Sequence, residues 1–133
     1  MNETGENDEL TKRIIGFAIE VHRFLGPGLL ESVYEECLCI EMKRADVTFA
    51  RQVALPVTYK GVRLDCGYRL DLVVENRLIL EIKAVERFMP VHEAQLLTYL
   101  KLTRITTGLL LNFSSPVLKD GIRRLVLRES DLR

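Results

Sequence analysis

The sequence predicts an α/β fold verging on α+β, a sheet with helices packed on it. Near the N-terminus one segment repeats its apolar residues at helical spacing and a second helix follows it, while Pro90 opens a third later in the chain. Between and after them lie apolar runs with strand character. The resulting order is helix, helix, strands, helix, strand, strand, with no repeat, linker or low-complexity stretch to suggest a second domain. Residues 1–9 read as a polar N-terminal tail and 10–133 as one domain, long enough to bury a sizeable core.

Asn7 or Asp8 can cap the first helix, whose apolar positions Leu10, Ile14, Phe17, Ala18, Val21 and Leu25 carry it to about Phe24. Gly26-Pro27-Gly28 stops it. The second helix spans about 31–44, with Val33, Leu38, Ile40 and Met42 among its apolar residues. Extended segments are expected over 52–59 and 62–64, joined by a turn at Lys60-Gly61. Two apolar runs follow, 68–74 and 78–84, separated by the polar turn Glu75-Asn76-Arg77. Pro90 suits the first turn of a third helix reaching about Leu102. Strands are expected over 106–113 and 122–127.

Composition narrows the class. A hydrophobic share of 47% with 29% charged residues fits an ordinary globular protein. No apolar stretch approaches the roughly 18 residues that span a bilayer, and the acidic N-terminus is unlike a secretory signal, so a cytoplasmic protein without membrane partners is expected. Cys37, Cys39 and Cys66 are odd in number and form no C-x-x-C pair, which favours buried reduced thiols over a disulfide framework or zinc site. The 19 basic residues balance 19 acidic ones, unlike a dedicated sequence-independent DNA binder. The charge is nonetheless uneven, because Lys119, Arg123, Arg124, Arg128 and Arg133 cluster near the C-terminus, as a solvated face or a local basic surface.

Asp71, Glu81 and Lys83 are polar intruders in the two apolar runs. A hairpin centred on Asn76 places Asp71 opposite Glu81, and strand alternation puts Lys83 on the face of Glu81. Like charges directly opposite destabilise a sheet, so a chain that keeps both acids invites a divalent cation between them. Asp71 and Glu81 would supply hard oxygen ligands for Mg²⁺ or Mn²⁺, with the Ile82 carbonyl as a third. Lys83 would orient or deprotonate the attacking water, or balance charge in the transition state, as in a metal-dependent phosphodiesterase. The bland alternative is a salt bridge from Lys83 to one acid.

Glu31 and Tyr34 stand three apart on one face of the second helix. With Glu35 and Glu36 they form either an acidic first turn favoured by the helix dipole or a source of one further metal carboxylate, Glu31. Gln95 and Tyr99, at i and i+4 on the third helix, can hydrogen-bond a phosphate, and Tyr34 joins them as a nucleic-acid contact. Lys101 either complements that helix's C-terminal dipole or contacts a nucleic-acid backbone. His22 and His92 are isolated and make poor metal-ligand candidates. No Gly-rich phosphate loop, G-x-S-x-G, H-E-x-x-H or dinucleotide fingerprint is present.

Gly28-x-x-Glu31-x-x-Tyr34 resembles the signature of the small prokaryotic GxxExxY family. The resemblance extends through Leu64-Asp-Cys-Gly-Tyr-Arg-Leu-Asp, Glu81-Ile-Lys-Ala-Val-Glu, His92-Glu-Ala-Gln-Leu-Leu-Thr-Tyr-Leu-Lys and Leu118-Lys-Asp-Gly-Ile, covering about 10–127. That family is placed in the PD-(D/E)XK nuclease superfamily, which implies a central mixed sheet flanked by helices in the order α-β-β-β-α-β. The resemblance matches Asp71 to the first acid, Glu81 and Lys83 to Glu-x-Lys, Glu31 to the early-helix acid, and Gln95 with Tyr99 to a Gln-x-x-x-Tyr element. Leu70 stands where the superfamily's name has proline. The resulting expectation is a Mg²⁺-dependent (or Mn²⁺-dependent) nuclease acting on nucleic acid, with DNA preferred to RNA. Its rival is a non-catalytic nucleic-acid-binding or regulatory module in a larger complex. A homodimer pooling the basic C-terminal surfaces is a further expectation.

Overall fold

A computed structural model describes residues 3–132, with the side chains of residues 3–6, 66, 129 and 132 left out of account. Helix α1 (Glu3–Leu25) ends where Gly26, at φ 72°, donates its N–H to the His22 carbonyl at 2.7 Å. Only glycine takes that left-handed cap without strain. Helix α2 (Glu31–Arg44) follows, then strands β1 (Phe49–Tyr59), β2 (Val62–Val74) and β3 (Leu78–Lys83). Helix α3 (Pro90–Thr103) leads to β4 (Thr107–Asn112) and β5 (Ile122–Val126), with short 3₁₀ turns at Leu118–Gly121 and Glu129–Leu132.

The strands form one mixed sheet in chain order. β3 and β4 run parallel, bridged by α3, while the other neighbours are antiparallel. From α2 onward the order is α-β-β-β-α-β, as expected for the nuclease-like core, with α1 before it and β5 after. One core lies between the sheet and α1 and α2, built on Ile14, Ala18, Leu38, Met42, Leu72, Leu80, Leu109 and Phe113. The other lies between the sheet and α3, built on Leu70, Ile79, Leu96, Leu100 and Leu110. β3 and β4 are buried on both faces, which is why their sequences read as unbroken apolar runs.

Four expectations need correction. The stretch read as a tail, 1–9, is helical from Glu3, while Met1 and Asn2 lie outside the described residues. Asn7 and Asp8 do not cap this helix; they tie it to the sheet, Asn7 through Thr107 Oγ1 at 3.1 Å and Asp8 through an ion pair with Arg124. β1 begins at Phe49 rather than at 52, because the 49–51 stretch pairs with 72–74. β2 is one strand of 13 residues, interrupted by a register shift between Leu55 and Val57 of its partner rather than by a loop. Among the described residues no helix is long and apolar enough to cross a membrane.

β1 and β2 reach well past β3, which pairs only with Leu72, Val73 and Val74 of β2. The overhang is a two-stranded ribbon closed by Lys60 and Gly61, both at positive φ, the geometry that matches the twist of a hairpin. The register shift bends it. At the bend a side chain on Gly67 would place its Cβ 2.3 Å from the Leu55 carbonyl oxygen and 2.9 Å from Pro56 Cα. Both neighbours are backbone and cannot step aside without moving the strand. Gly67→Ala is expected to cost about 1–3 kcal/mol of stability, read as a lower midpoint in urea unfolding at unchanged slope.

Candidate active site

The hairpin between β2 and β3 turns through Glu75 and Asn76, both left-handed at φ 53° and 54°. Its register pairs Val74 with Leu78, Val73 with Ile79 and Leu72 with Leu80. The next pair in that register is Asp71 with Glu81, as the sequence predicts, and there regular backbone pairing ends. The two carboxylates take over from the ladder. Asp71 N–H donates to Glu81 Oε1 at 3.1 Å, and Ile82 N–H donates to Asp71 Oδ2 at 2.8 Å. Each acid thus accepts a backbone hydrogen from the opposite strand.

Strict alternation, however, does not hold through Asp71. Leu72 and Val74 pack toward α1 and α2, whereas Leu70 packs toward α3, although all three have the same parity. The same switch occurs across the pair in β1, where Phe49 packs toward α1 and α2 but Val53 and Leu55 pack toward α3. Gln52 lies between them at φ 49°, opposite Asp71. A left-handed residue inside a strand rotates the chain after it, and for glutamine that backbone is strained. The switch turns Asp71 into a cleft of about 380 Å³ lined by Glu31, Ser32, Glu35, Gln52, Asp71 and Ile82. The opposed pair expected of a regular hairpin, Asp71 and Glu81 on one face of the sheet, is therefore corrected: Glu81 stays on the α3 side, Asp71 turns to the cleft, and the two acids meet in the gap between the strands.

Glu81 is 4% exposed. Burial first, and the neighbouring Asp71 charge second, push its carboxyl up to about 8, while the Lys83 charge acts in the opposite sense. Lys83 is half-buried and forms no ion pair within 4 Å among the described residues, so the salt-bridge alternative does not describe this site. Tyr99 of α3 lies on the far side of Glu81. Burial first, then the charges of Glu81 and Asp71, hold its phenol up near 12. Gln95, one turn earlier, is half-buried on the same stretch of helix, and Lys101 is exposed at its end.

The Gly-x-x-Glu-x-x-Tyr segment is a brace for this site. Tyr34 is completely buried, stacked on Phe113 with ring centroids 4.4 Å apart. Its hydroxyl donates to the Gly26 carbonyl at 2.6 Å and accepts from Leu29 N–H at 3.0 Å. Tyr34 therefore cannot contact nucleic acid as expected; it ties down the loop that carries Gly28, which sits at φ 100°. That loop positions Glu31 at the start of α2, where Glu31 Oε2 accepts from Ala84 N–H just past Lys83 at 2.9 Å. Glu31 and Asp71 line the same cleft.

Several supporting residues escape a reading of the sequence. Glu35, 6% exposed, accepts from Arg51 at 2.8 and 3.1 Å and from Gln52 Nε2 at 2.9 Å. These partners come from another element, so the Glu35-Glu36 pair alone carries no sign of them. Asn112 was legible by the rule that singled out Asp71, since it is polar at the end of an apolar strand. It stands beside Lys83 in the sheet and clamps Val85, donating to its carbonyl at 2.8 Å and accepting its N–H at 3.1 Å. His92 serves as a cap, its Nδ1 accepting from Met89 N–H at 2.9 Å, and His22 bonds the Ser115 carbonyl at 2.8 Å.

The donor set suits a hard divalent cation. Two carboxylates so close that one is held neutral gain most from a positive ion, and oxygen ligands match Mg²⁺ or Mn²⁺. Among the described residues no group of three Asp, Glu, His or Cys side chains is assembled into a cage. The expected set of Asp71, Glu81 and Glu31 is therefore not brought together as one cage; Asp71 and Glu81 are in contact, and Glu31 lines the cleft beside Asp71. A family model described as the PD-(D/E)XK nuclease superfamily matches residues 8–125. No curated protein and no solved structure gives a match.

Two outcomes are expected from this geometry. Tyr34→Phe removes a buried hydroxyl and leaves the Gly26 carbonyl and Leu29 N–H without it, at a cost of about 1–3 kcal/mol in chemical denaturation. The second concerns pH in chelator, without metal. Glu81 binds its proton more tightly folded than unfolded, so its contribution is full below its ordinary value of 4.5 and is lost as pH rises through 8. Glu81→Gln removes this loss, so the variant gains on wild type between pH 5 and 9, by up to about 4 kcal/mol at about 1.4 kcal/mol per pKa unit. A constant difference in melting temperature across that range would contradict the buried, proton-holding carboxyl.

Proposed function

The chain belongs to the PD-(D/E)XK nuclease superfamily, and from that premise we propose that it is a divalent-metal-dependent nuclease hydrolysing phosphodiester bonds in nucleic acid, DNA before RNA. The observation that carries the reading is the Asp71–Glu81 pair, two carboxylates crossing a strand gap beside Lys83 and an open cleft. Gly28-x-x-Glu31-x-x-Tyr34 supports placement in the GxxExxY branch, since all three positions act in one brace.

Asp71 and Glu81 hold the cation, Mg²⁺ or Mn²⁺, with Glu31 and the Ile82 carbonyl at hand on the cleft wall. When bound, the cation polarises the phosphate and makes water a competent nucleophile at neutral pH. Lys83, anchored at the end of β3 with Asn112 beside it, orients that water or offsets charge developing on the phosphate. Tyr99 packs on the α3 side of Glu81, away from the cleft, and Gln95 and exposed Lys101 on the same helix would reach only a strand that extends past that side of the sheet. One observation favours a binding module without turnover: the Glu31 carboxylate is already engaged by Ala84 N–H.

Cleavage decides between them. Purified protein is expected to degrade single- or double-stranded DNA or RNA with Mg²⁺ or Mn²⁺ and not with chelator. Lys83→Ala is expected to slow this by about 10²–10⁴-fold, the range for loss of one positioned proton-handling group. Equal cleavage by wild type and Lys83→Ala would remove the assignment, and no cleavage of any of the four polymers would favour the module.

A further inference from the structure

The chain is electrically neutral, yet its β1–β2 ribbon is not. Residues 49–70 hold Arg51, Lys60, Arg63 and Arg69 against the single acid Asp65. Arg51 is committed to Glu35 and Glu36. Lys60, Arg63 and Arg69 form no ion pair among the described residues, and all three are exposed.

Pairing places them together. Arg69 pairs with Ala54 and Arg63 with Thr58, two positions of the same parity in β1, so both arginines stand on one face of the ribbon. The other face carries Val53 and Leu55, which pack toward α3, and Tyr68, edge-on to Tyr99 at 5.2 Å. The arginine face is therefore the cleft face, to which Gln52 also belongs. Arg69 joins the two directly, its Nη1 donating to the Gln52 carbonyl at 3.0 Å. Lys60 stands at the tip, its Nζ over the Tyr59 ring at 5.4 Å. Between the cations lie Ala54, Pro56 and Thr58, all exposed and too small to block a polymer lying along them.

We propose that this ribbon face is a phosphate-binding track for double-stranded nucleic acid, leading a duplex into the Asp71–Glu81 cleft. The choice of nucleic acid rests on the proposed function; the choice of duplex rests on the ribbon. Ala54 and Thr58 are four residues apart, about 13 Å, so Arg69 and Arg63 are spaced by about four base-pair rises of 3.4 Å. A two-stranded β-ribbon also fits the major groove. A single-strand binder interleaves aromatic rings with its cations so that bases can stack, whereas here Tyr68 lies on the opposite face and so, by strand alternation with Val53 and Leu55, does the exposed Tyr59. Contacts to phosphates alone carry no sequence preference.

The test separates binding from chemistry. Fluorescence anisotropy with a labelled 20-base-pair DNA duplex, in chelator and at several salt concentrations, compares wild type with Arg63→Glu and Arg69→Glu, circular dichroism confirming that each variant is folded. Each reversal is expected to weaken duplex binding by about 10-fold or more and to lower the slope of log affinity against log salt by about 0.9 for each phosphate no longer neutralised. Arg63→Lys should retain most of the affinity. A single strand of the same sequence should bind less tightly than the duplex. Unchanged affinity in both reversals, a tighter single strand, or no duplex binding by wild type would each overturn the track. Metal-dependent cleavage that persists with unaltered duplex affinity in Arg63→Glu and Arg69→Glu would leave the nuclease standing without it. Track-dependent binding without cleavage would do the reverse.

Discussion

The structure depends on a crossing of two carboxylates. Where β2 and β3 part, Asp71 and Glu81 each accept a backbone hydrogen from the other strand and so complete the sheet with side chains instead of main chain. A backbone ladder could have continued here at no electrostatic cost. Two acids in its place keep one carboxyl protonated near neutral pH, because both charges cannot be held so close in a buried gap. Such an arrangement leaves the pair poised for a cation, while the crossed hydrogen bonds hold the gap at a fixed width.

Around that crossing, structural devices converge from three directions. Gln52, in a backbone conformation glutamine seldom adopts, lies where β1 and β2 both switch facing and Asp71 turns toward the α2 side. Glu35 and Arg51 hold Gln52 there; hydrogen bonds to Glu35 and Glu36 raise the guanidinium's affinity for its proton still further. Tyr34 and the glycines before α2 set Glu31 against the end of β3. Asn112 clamps the chain just after Lys83. Strain at Gln52 is of order 1–3 kcal/mol, the kind of cost that persists at functional sites when surrounding contacts over-determine the geometry.

Much of this was legible because β3 and β4 are buried on both faces. In such strands any polar residue stands out, and the turn at Asn76 fixes the hairpin register, so Asp71, Glu81 and Lys83 could be aligned from the sequence alone. The face switch could not be read, since nothing about glutamine announces a left-handed backbone. Tyr34 misled for a different reason. A tyrosine three residues from a site acid reads as a surface contact, and only the fold shows its ring stacked on Phe113, just past β4 and nearly 80 residues away. The start of α1 was missed because Asn7 and Asp8 look like caps, while their partners Thr107 and Arg124 lie about a hundred residues downstream.

The central claim is that Asp71 and Glu81 are a cation site and not merely a structural crossing. Calorimetric titration of Mn²⁺ into wild type and Asp71→Asn tests it most directly. Asparagine keeps the carbonyl oxygen that accepts from Ile82 N–H, so the crossing survives while one ligand charge is removed. The account predicts saturable Mn²⁺ binding by wild type and its loss, by about 10-fold or more, in a folded Asp71→Asn protein. No binding by wild type, or equal binding by both, would contradict it.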